Sequence, residues 1–214
     1  MMTQTYTHSL PQLAPMLLDE FAWLPEHVQA DVLGSPRWIG QEKHDGVRAK
    51  LHAGDGGCRL DGRKVSRRTG RFSEFTGNVP HLASLRLPGF EGLVLDGELV
   101  TTTAGRSSWR DVSAVLHSTP ARARALQADR PLQFVAFDVV GTGSYRERYA
   151  QLTRLWAVHG ERLAAAGVHL VGCRTDKAAL HAEVLARGGE GVVLKSWTMA
   201  YEPGHRSRGC LKWK

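Results

Sequence analysis

Residues 41–48 read Gln41-Glu42-Lys43-His44-Asp45-Gly46-Val47-Arg48, and an alternating run of apolar and charged residues follows them directly. A lysine is a nucleophile only as the free amine, so a reactive Lys43 needs neighbours that take up its proton. Gly46 permits a tight turn and a close approach of the backbone to a ligand. Arg48 offers a fork of donors suited to phosphate or ribose oxygens. The motif alone leaves two interpretations, because Asp-Gly is also a strong hairpin signal and a lysine in such a turn is usually solvated.

Strand signals surround this stretch. Residues 37–42 form a predicted strand that leads to the lysine, and residues 47–53 alternate with the period of a half-buried strand. Glycine-containing turns at residues 54–57 and 61–62 then predict an antiparallel meander. The basic residues 64–71 come next. On composition alone, their charges fit a solvated hairpin edge and contacts to phosphate equally well.

Two carboxylates, Asp96 and Glu98, lie within the apolar run of residues 93–100. Strand alternation places both on one face, with the leucines on the other. Carboxylates amid so much apolar sequence are costly unless they are paired or hold a cation, which favours a functional role. The alternative is an exposed sheet face that leaves both carboxylates in water.

A third carboxylate, Glu190, stands with Lys195 at the two ends of another apolar run. Strict alternation along a strand would put these two side chains on opposite faces. Either Glu190 precedes the strand, as its glycine neighbours allow, or one of the two lies outside the site. Farther on, Lys212 and Lys214 share a predicted strand face, opposite Trp213.

Helices are predicted between these strands. One covers residues 25–33 and ends at a glycine. Ser108 and Ser144 each begin a sequence that is typical of a capping box. Thr119 precedes a proline at the first helical position, and Thr175 is predicted to cap a further helix that two glycines stop.

The composition is that of an ordinary globular protein, with 214 residues, of which 42% are hydrophobic and 23% charged. A formal charge of +7 and a pI near 9.7 favour a polyanionic partner. The three cysteines are widely spaced, which is typical of reduced cytoplasmic thiols and not of a disulfide framework or a zinc site. The polar N-terminus and the lack of a long apolar run predict no signal peptide and no membrane span. Without a repeat or linker, one domain over residues 1–214 is expected.

Taken together, these motifs resemble the covalent nucleotidyltransferases, and most closely the adenylation domain of bacterial ATP-dependent DNA ligases of the end-joining-repair type. The resemblance covers nearly the whole chain. In chain order, the matching segments are Pro15-Met16-Leu17, Lys43-His44-Asp45-Gly46-Val47-Arg48, Ser66-Arg67, Asp96-Gly97-Glu98, Phe137-Asp138, Glu190-Gly191-Val192-Val193-Leu194-Lys195, Tyr201-Glu202-Pro203-Gly204-His205-Arg206-Ser207 and Lys212-Trp213-Lys214. The resemblance implies an α+β fold, in which helices flank antiparallel β-sheets and the nucleotide lies in a groove between the sheets.

The resemblance implies a reaction centred on Lys43, which would attack the α-phosphorus of ATP, form a lysyl-AMP phosphoramidate and release pyrophosphate. Phe137 would stack on adenine, with plain core packing as the alternative for this residue. Lys195 and Lys212 would neutralise the α-phosphate. The implied nucleotide-binding residues are Glu42, Arg48, Glu98, Phe137, Lys195, Lys212 and Lys214, and the implied ligands of Mg²⁺ (or Mn²⁺) are Glu98 and Glu190.

The implied partner is nicked double-stranded DNA, whose phosphates Arg67 and Arg68 would contact. The AMP would pass to the 5′-phosphate of the nick, and the 3′-hydroxyl would displace it. A cytoplasmic monomer is expected, associated with the nucleoid when it is bound to DNA. We expect this chain to lack the oligonucleotide-binding domain that follows in such ligases, so that a separate domain or a repair protein supplies it and the chain alone adenylates itself slowly and seals nicks poorly.

Two positions depart from the family's pattern. Gln41 stands where many relatives have a glutamate that contacts adenine, which leaves base selectivity open, and Cys210 stands where a tryptophan is common. An RNA ligase or a GTP-using capping-type transferase shares the Lys-x-Asp-Gly motif and is the alternative enzyme. A non-catalytic, basic nucleic-acid-binding module is the alternative from another class. The Tyr201–Ser207 segment and the complete set of catalytic motifs favour the DNA ligase.

Overall fold

The computed structural model describes residues 14–67, 69–101, 108–128 and 131–214. Within these ranges the chain forms two β-sheets with helices packed against them, which is the predicted α+β arrangement. None of the helices in these ranges is long and apolar enough to cross a membrane. Arg68, which is predicted to contact substrate phosphate, lies outside the described residues.

The smaller sheet has four strands, in the spatial order β1 (Leu17–Glu20), β10 (Arg206–Trp213), β9 (Val192–Ser196) and β2 (Trp38–Glu42). β1 and β10 run parallel, and the other two pairs are antiparallel. The helices α1 (Glu26–Gly34) and α6 (Lys177–Ala186) contribute to its apolar core. The buried side chains of that core are Phe21, Val32, Leu180, Val184, Val192, Leu194 and Leu211.

The larger sheet has six strands, in the order β5 (Phe72–Glu74), β4 (Gly57–Val65), β3 (Val47–Gly54), β6 (Val94–Val100), β7 (Gln133–Val139) and β8 (Val168–Leu170). β7 and β8 run parallel, while every other neighbouring pair in this sheet is antiparallel. The predicted meander after Lys43 is therefore confirmed. The parallel pairs at one edge of each sheet are an addition to the predicted, wholly antiparallel pattern.

One face of the larger sheet is covered by helices. α2 (Pro80–Ala83), α3 (Trp109–Leu116) and α5 (Tyr145–Ala165) pack against its strands, and α4 (Pro120–Leu126) packs against α3. Burial of each large apolar side chain in this layer stabilises the fold by roughly 1.5–3 kcal/mol. Fully buried members include Leu51, Leu60, Leu95, Leu99, Phe134 and Leu152.

The structure confirms some of the predicted helix caps and contradicts others. Ser144 forms the predicted capping box at the start of α5. Ser108 makes no capping hydrogen bond, so that prediction is wrong; the chain has Asp111 at the position where a capping box has the longer Glu or Gln. α6 is capped by Asp176 and not by Thr175, because the helix begins one residue later than predicted.

The other face of the larger sheet carries a row of buried charged side chains. Lys50 lies directly opposite Asp61 on one side and Asp96 on the other, and Asp96 lies opposite Asp138. None of the four is more than 2% exposed. Burial lowers the pKa of Lys50 to about 8, although both neighbouring aspartates favour its charged form. The Lys50 ammonium lies 3.2 Å from the ring centre of Phe72, so β5 is held against this row.

Asp138 is paired with Arg148 of α5, and neither side chain is more than 1% exposed. Arg148 Nε donates to Asp138 Oδ1 at 2.7 Å, and its Nη2 donates to Oδ2 at 3.3 Å. Its Nη1 donates to the carbonyl oxygens of Gly143 at 2.7 Å and of Met199 at 3.2 Å. One guanidinium therefore joins the larger sheet, the start of α5 and the segment that follows β9.

Replacing Arg148 with methionine would leave the Asp138 carboxylate buried without its partner. We expect the free energy of unfolding to fall by about 3–5 kcal/mol, as when one member of a buried ion pair is removed. Urea denaturation followed by circular dichroism measures this change. The control is Arg174→Met, because Arg174 pairs with Glu183 at the surface, where 46% and 52% of the side chains are exposed; its denaturation midpoint should barely move. Equal losses in the two variants would contradict this account of Arg148.

Candidate active site

A groove of about 690 Å³ lies between the two sheets. The smaller sheet contributes side chains from β2, β9 and β10, and the larger sheet contributes side chains from β3, β6 and β7. All of the residues predicted to react with or bind the nucleotide line this groove: Glu42, Lys43, Arg48, Glu98, Phe137, Lys195, Lys212 and Lys214. Residues from distant parts of the sequence thus share one concave site of the size that small-molecule ligands occupy.

Lys43 lies directly after β2 and is fixed there by its backbone, since its N–H donates to the carbonyl of Gly191 at 2.9 Å. Its Nζ donates to Glu190 Oε2 at 2.5 Å, and Lys214 Nζ lies 2.5 Å from Glu190 Oε1. Glu190 precedes β9, so the first of the two alternatives for this residue is confirmed. Partial burial opposes its charged form, but the hydrogen bonds from Lys214 and Lys43 lower the pKa of Glu190.

Two glycines allow the strands to come together at this point. A Cβ atom on Gly46 would lie 2.1 Å from the carbonyl oxygen of Leu99, and one on Gly191 would lie 2.2 Å from that of Trp213. Gly191 also has a φ of +124°, which side chains rarely permit. The glycine of Lys-x-Asp-Gly and the glycine after Glu190 are therefore required for the close approach of backbone around Lys43.

Arg48 is held by Asp96 at the wall of the groove. Its Nε donates to Asp96 Oδ1 at 2.9 Å, its Nη2 donates to Oδ2 at 2.5 Å, and its Nη1 donates to the carbonyl of Met16 at 2.6 Å. The hydroxyl of Tyr201 donates to Asp96 Oδ2 at 2.6 Å. Asp96 thus holds Arg48 in place, and it is wholly buried. Of the two carboxylates in β6, Asp96 and Glu98, Asp96 is therefore not available to a ligand.

Glu98 is the available carboxylate. Burial raises the pKa of Glu98 to about 8, and the nearby charges of Arg48 and Lys43 oppose this shift only in part. The side chain is therefore a desolvated acid beside two cations. Perturbed acids in a cleft are typical of functional sites.

Gln41 and Phe137 both line the groove, and the hydroxyl of Tyr145 links them. Gln41 Nε2 donates to the hydroxyl of Tyr145 at 2.7 Å, and that hydroxyl donates to the carbonyl of Phe137 at 3.0 Å. Lys195 Nζ donates to the same carbonyl at 2.9 Å. Gln41 Oε1 is buried, and it has no hydrogen-bond partner among the residues that the structure describes. A buried acceptor without a donor is a position that a ligand can satisfy.

A β-bulge in β7 explains how this part of the groove is formed. Asp96 pairs with Asp138, but Gly97 pairs with Ala136, so Phe137 is an extra residue in the ladder. The extra residue allows Phe137 and Asp138 both to line the groove, although simple alternation would place them on opposite faces. It also leaves the carbonyl of Phe137 to accept hydrogen bonds from side chains.

Two predicted residues lie in positions that the sequence did not indicate. Lys195 is 3% exposed and pairs with Ile39 in the sheet, four residues along β9 from Gly191 and therefore about 13 Å from the level of Lys43. The expectation that Lys195 and Lys212 surround one phosphate stays a prediction. Glu42 also lines the groove, but its carboxylate accepts a hydrogen bond from Arg187 Nη2 at 2.5 Å, because alternation along β2 places it on the face opposite to that of Gln41.

Two residues near the groove were not identified from the sequence. Glu20 Oε1 lies 2.5 Å from Lys212 Nζ, and the pairing of β1 with β10 that brings them together has no local signal in the sequence. Trp109 is 52% exposed and lines the groove, as do Lys64 and His117. The sequence signal that could have identified Trp109 is a tryptophan at the start of a predicted helix. Arg67, predicted to contact phosphate, is exposed in the turn between β4 and β5.

The predicted metal ligands do not form a metal cage by themselves. In the described ranges, no group of three or more His, Cys, Asp or Glu side chains is arranged to hold a metal ion. Glu98 and Glu190 both interact electrostatically with Lys43 and with each other. A pair of carboxylates completed by phosphate oxygens and water is the usual way in which proteins bind Mg²⁺ with a nucleotide.

Known proteins share this arrangement. Residues 15–214 match the family described as the ATP dependent DNA ligase domain. The chain is 33% identical over 192 residues to a probable DNA ligase of Streptomyces coelicolor, across 81% of this chain and 34% of that protein. It is 26% identical over 209 residues to DNA ligase C of Mycobacterium tuberculosis, across 92% of this chain and 53% of that protein. The chain thus spans between a third and about half the length of these two relatives.

The structure of a mycobacterial DNA ligase D complexed with ATP and MES is similar as well, with a TM-score of 0.64 and 26% sequence identity over 96% of this chain and 61% of that one. Matches of this kind do not favour an RNA ligase, a capping-type transferase or a non-catalytic module. Because the family match extends over nearly all of the chain and includes both sheets that form the groove, this chain belongs to the ATP-dependent DNA ligase domain family.

Proposed function

We propose that residues 1–214 act as one nucleotidyltransferase domain, which forms a lysyl-AMP at Lys43 and passes the AMP to the 5′-phosphate of a DNA nick for sealing. The observation that carries this proposal is that Lys43 Nζ lies 2.5 Å from Glu190, while Lys43 lines the same groove as Phe137. Family membership supports ATP as the nucleotide. Formation of a covalent AMP adduct on incubation with ATP tests the proposal directly.

The first step needs Lys43 as a neutral amine. Its nitrogen forms a bond to the α-phosphorus, the bond from that phosphorus to the bridging oxygen breaks, and pyrophosphate leaves. Glu190 already accepts a hydrogen bond from Lys43 and is placed to receive the proton that the amine loses. Lys214 and Lys212 then neutralise charge that develops on the phosphates.

The second and third steps regenerate the lysine. A 5′-phosphate oxygen of the nick attacks the phosphorus of the lysyl-AMP, and the bond between nitrogen and phosphorus breaks. The 3′-hydroxyl oxygen then attacks that 5′-phosphate, AMP leaves, and a phosphodiester remains. Each step transfers one phosphoryl centre, so catalysis depends on positioning and on charge neutralisation around it.

The part of the groove lined by Gln41, Phe137 and Lys195 fits adenine. The exocyclic amine of adenine would donate to Gln41 Oε1, the buried acceptor that has no partner in the described part of the chain. Phe137 would stack on the base, while Lys195 would donate to a ring nitrogen. We therefore assign Lys195 to the base and not to the α-phosphate.

Arg48 and Glu98 are proposed to hold the ribose, since both line the groove, the guanidinium of Arg48 lies 5.3 Å from the ring centre of Phe137, and Glu98 interacts electrostatically with Lys43. Glu98 and Glu190 would hold Mg²⁺ (or Mn²⁺) together with phosphate oxygens. Two carboxylates are enough for this, because Mg²⁺ in nucleotide sites is usually bound by one or two carboxylates, phosphate oxygens and water. A bound cation supplies charge neutralisation on the phosphates. The positions of Glu98 and Glu190 would determine where that positive charge lies relative to the phosphates.

The DNA-binding surface is proposed to extend from the groove to the turn between β4 and β5. Arg67 is exposed in that turn, and Lys64 and Trp109 line the groove. Basic side chains that contact phosphates, beside an apolar ring, are typical of nucleic-acid interfaces. The net charge of +7 agrees with a polyanionic partner. Nicked duplex DNA, bound by a monomer in the cytoplasm and on the nucleoid, is the partner that we propose.

The nucleophile is tested by covalent labelling. Lys43→Ala and Lys43→Arg should both abolish labelling by ATP that carries a radioactive α-phosphate, because neither side chain offers a free amine at neutral pH. Denaturing electrophoresis with GTP in parallel measures the adduct and the choice of nucleotide. The control is Lys64→Arg in the same groove, which should still label. An acid-labile AMP adduct on either Lys43 variant would show that another residue is the carrier.

The base site is tested at two phenylalanines of β7. Phe137→Leu should weaken the binding of a non-reactive ATP analogue by about 1–3 kcal/mol, by analogy with base–aromatic stacking. Isothermal titration calorimetry measures the affinity, and thermal unfolding measures the fold. Phe134→Leu is the control, since Phe134 is fully buried in the helix-covered core and should lose stability but not affinity. Unchanged affinity together with a large loss of melting temperature in Phe137→Leu would assign Phe137 to the core.

The DNA surface is tested through the salt dependence of binding. Arg67→Ala should weaken binding to a fluorescent nicked duplex and reduce the slope of log affinity against log salt by about 0.9, the value for one phosphate contact. Trp109→Ala should weaken binding without altering that slope. Trp23→Ala, at a tryptophan that is 75% exposed but does not line the groove, is the control and should change neither quantity. Identical behaviour of the Trp109 and Trp23 variants would exclude Trp109 from the surface.

A further inference from the structure

An ion pair between Glu20 and Lys212 lies beside the groove, and Glu20 belongs to none of the motifs found in the sequence. Glu20 is the last residue of β1, and Lys212 is its partner in the parallel ladder with β10. Glu20 Oε1 lies 2.5 Å from Lys212 Nζ, and about a quarter of each side chain is exposed (26% and 27%). Lys212 lines the groove, so the charge that is offered to a phosphate is already neutralised by a carboxylate.

A change of register creates this pair. At the start of the ladder Leu18 lies opposite Ser207, and continuing that register would place Glu20 opposite Gly209. The register shifts after Leu18, and Glu20 lies opposite Lys212 instead. The contact therefore depends on an irregularity in the strand pairing and not on uniform alternation.

The backbone on both sides of the pair is anchored by aromatic packing. Phe21, which follows Glu20, is 2% exposed, and its ring centre lies 5.0 Å from that of Trp213. The ring of Trp213 also stacks on His181 at 3.8 Å. Because Phe21 and Trp213 adjoin the two members of the pair, neither strand is free to carry Glu20 away from Lys212.

We propose that Glu20 is a positioning residue for the nucleotide site: it holds the Lys212 ammonium in place and competes with the nucleotide's phosphate for it. This inference rests on the proposed function, which assigns Lys212 to the phosphates. Lys214 shares a strand face with Lys212, so the carboxylate also limits repulsion between the two ammonium groups before a phosphate arrives. Glu20 thereby lowers the affinity for ATP while it keeps the phosphate site ordered.

The proposal predicts that removing the competing charge strengthens binding. Glu20→Gln keeps the shape of the side chain, and it should bind an ATP analogue with a methylene bridge between the α- and β-phosphorus about three- to fivefold more tightly, as expected for loss of a partly exposed ion pair. Glu20→Asp, whose carboxylate is withdrawn by one methylene, should shift affinity in the same direction by less. Equilibrium binding by calorimetry is the measurement.

Two controls separate this effect from a general change of charge. Asp19→Asn removes the same charge one residue away, where the carboxylate accepts the backbone N–H of Glu20, and should leave affinity unaltered. In a Lys212→Met background, Glu20→Gln should have no further effect, since the ammonium for which it competes is gone. Unchanged or weaker binding by Glu20→Gln, a gain equal to that of Asp19→Asn, or a gain that persists without Lys212 would each overturn the proposal.

The same measurements distinguish this inference from the proposed function. A wild-type chain that neither binds the analogue nor forms an AMP adduct contradicts the nucleotidyltransferase itself. A wild-type chain that does both, while Glu20→Gln binds no more tightly, contradicts only the competition between Glu20 and phosphate. Thermal unfolding of the variants shows that each comparison is made on folded protein.

Discussion

Asp96 and Asp138 lie directly opposite each other on β6 and β7, and both are almost completely buried. Like charges at facing positions repel, and a buried carboxylate without a partner is strongly destabilising. The structure solves this with two arginines: Arg48 reaches Asp96 from the neighbouring strand, and Arg148 reaches Asp138 from α5. Tyr201, in the segment that joins β9 to β10 of the smaller sheet, donates a hydrogen bond to Asp96. The two sheets are thus joined by charged groups, and the groove lies beside this contact.

The geometry of the base site follows from that constraint. Asp138 lies opposite Asp96 and pairs with Arg148, and the bulge beside it makes Phe137 an extra residue in the ladder. The carbonyl of Phe137 is then available to Lys195 and to Tyr145, which orders both around the ring. A structural requirement for pairing two acids therefore also forms one wall of the proposed adenine site.

Much of this architecture is predictable, because strand period and the order of motifs are local properties of the sequence. The alternation around Arg48 predicts β3, and that around Glu98 predicts β6 together with its groove-facing carboxylate. The sequence could not show that Lys195 lies with Phe137 and not with Lys43, because its depth depends on the register of β9 against β2. Likewise, the sequence motifs could not predict the contact of Glu20 with Lys212, because it requires pairing between strands from opposite ends of the chain.

The charges around the reactive lysine are balanced in a way that favours a polyanion over a single small anion. In the described part of the chain, Lys43, Lys214 and Lys212 form ion pairs with Glu190 and Glu20, so these three cations have two ion-pair partners. Every ammonium is nevertheless hydrogen-bonded, which means that the cations are ordered before any ligand binds and need little rearrangement when one does. A ligand that exchanges with both carboxylates must present negative oxygens at two places along the groove. The three linked phosphates of a nucleoside triphosphate carry such oxygens.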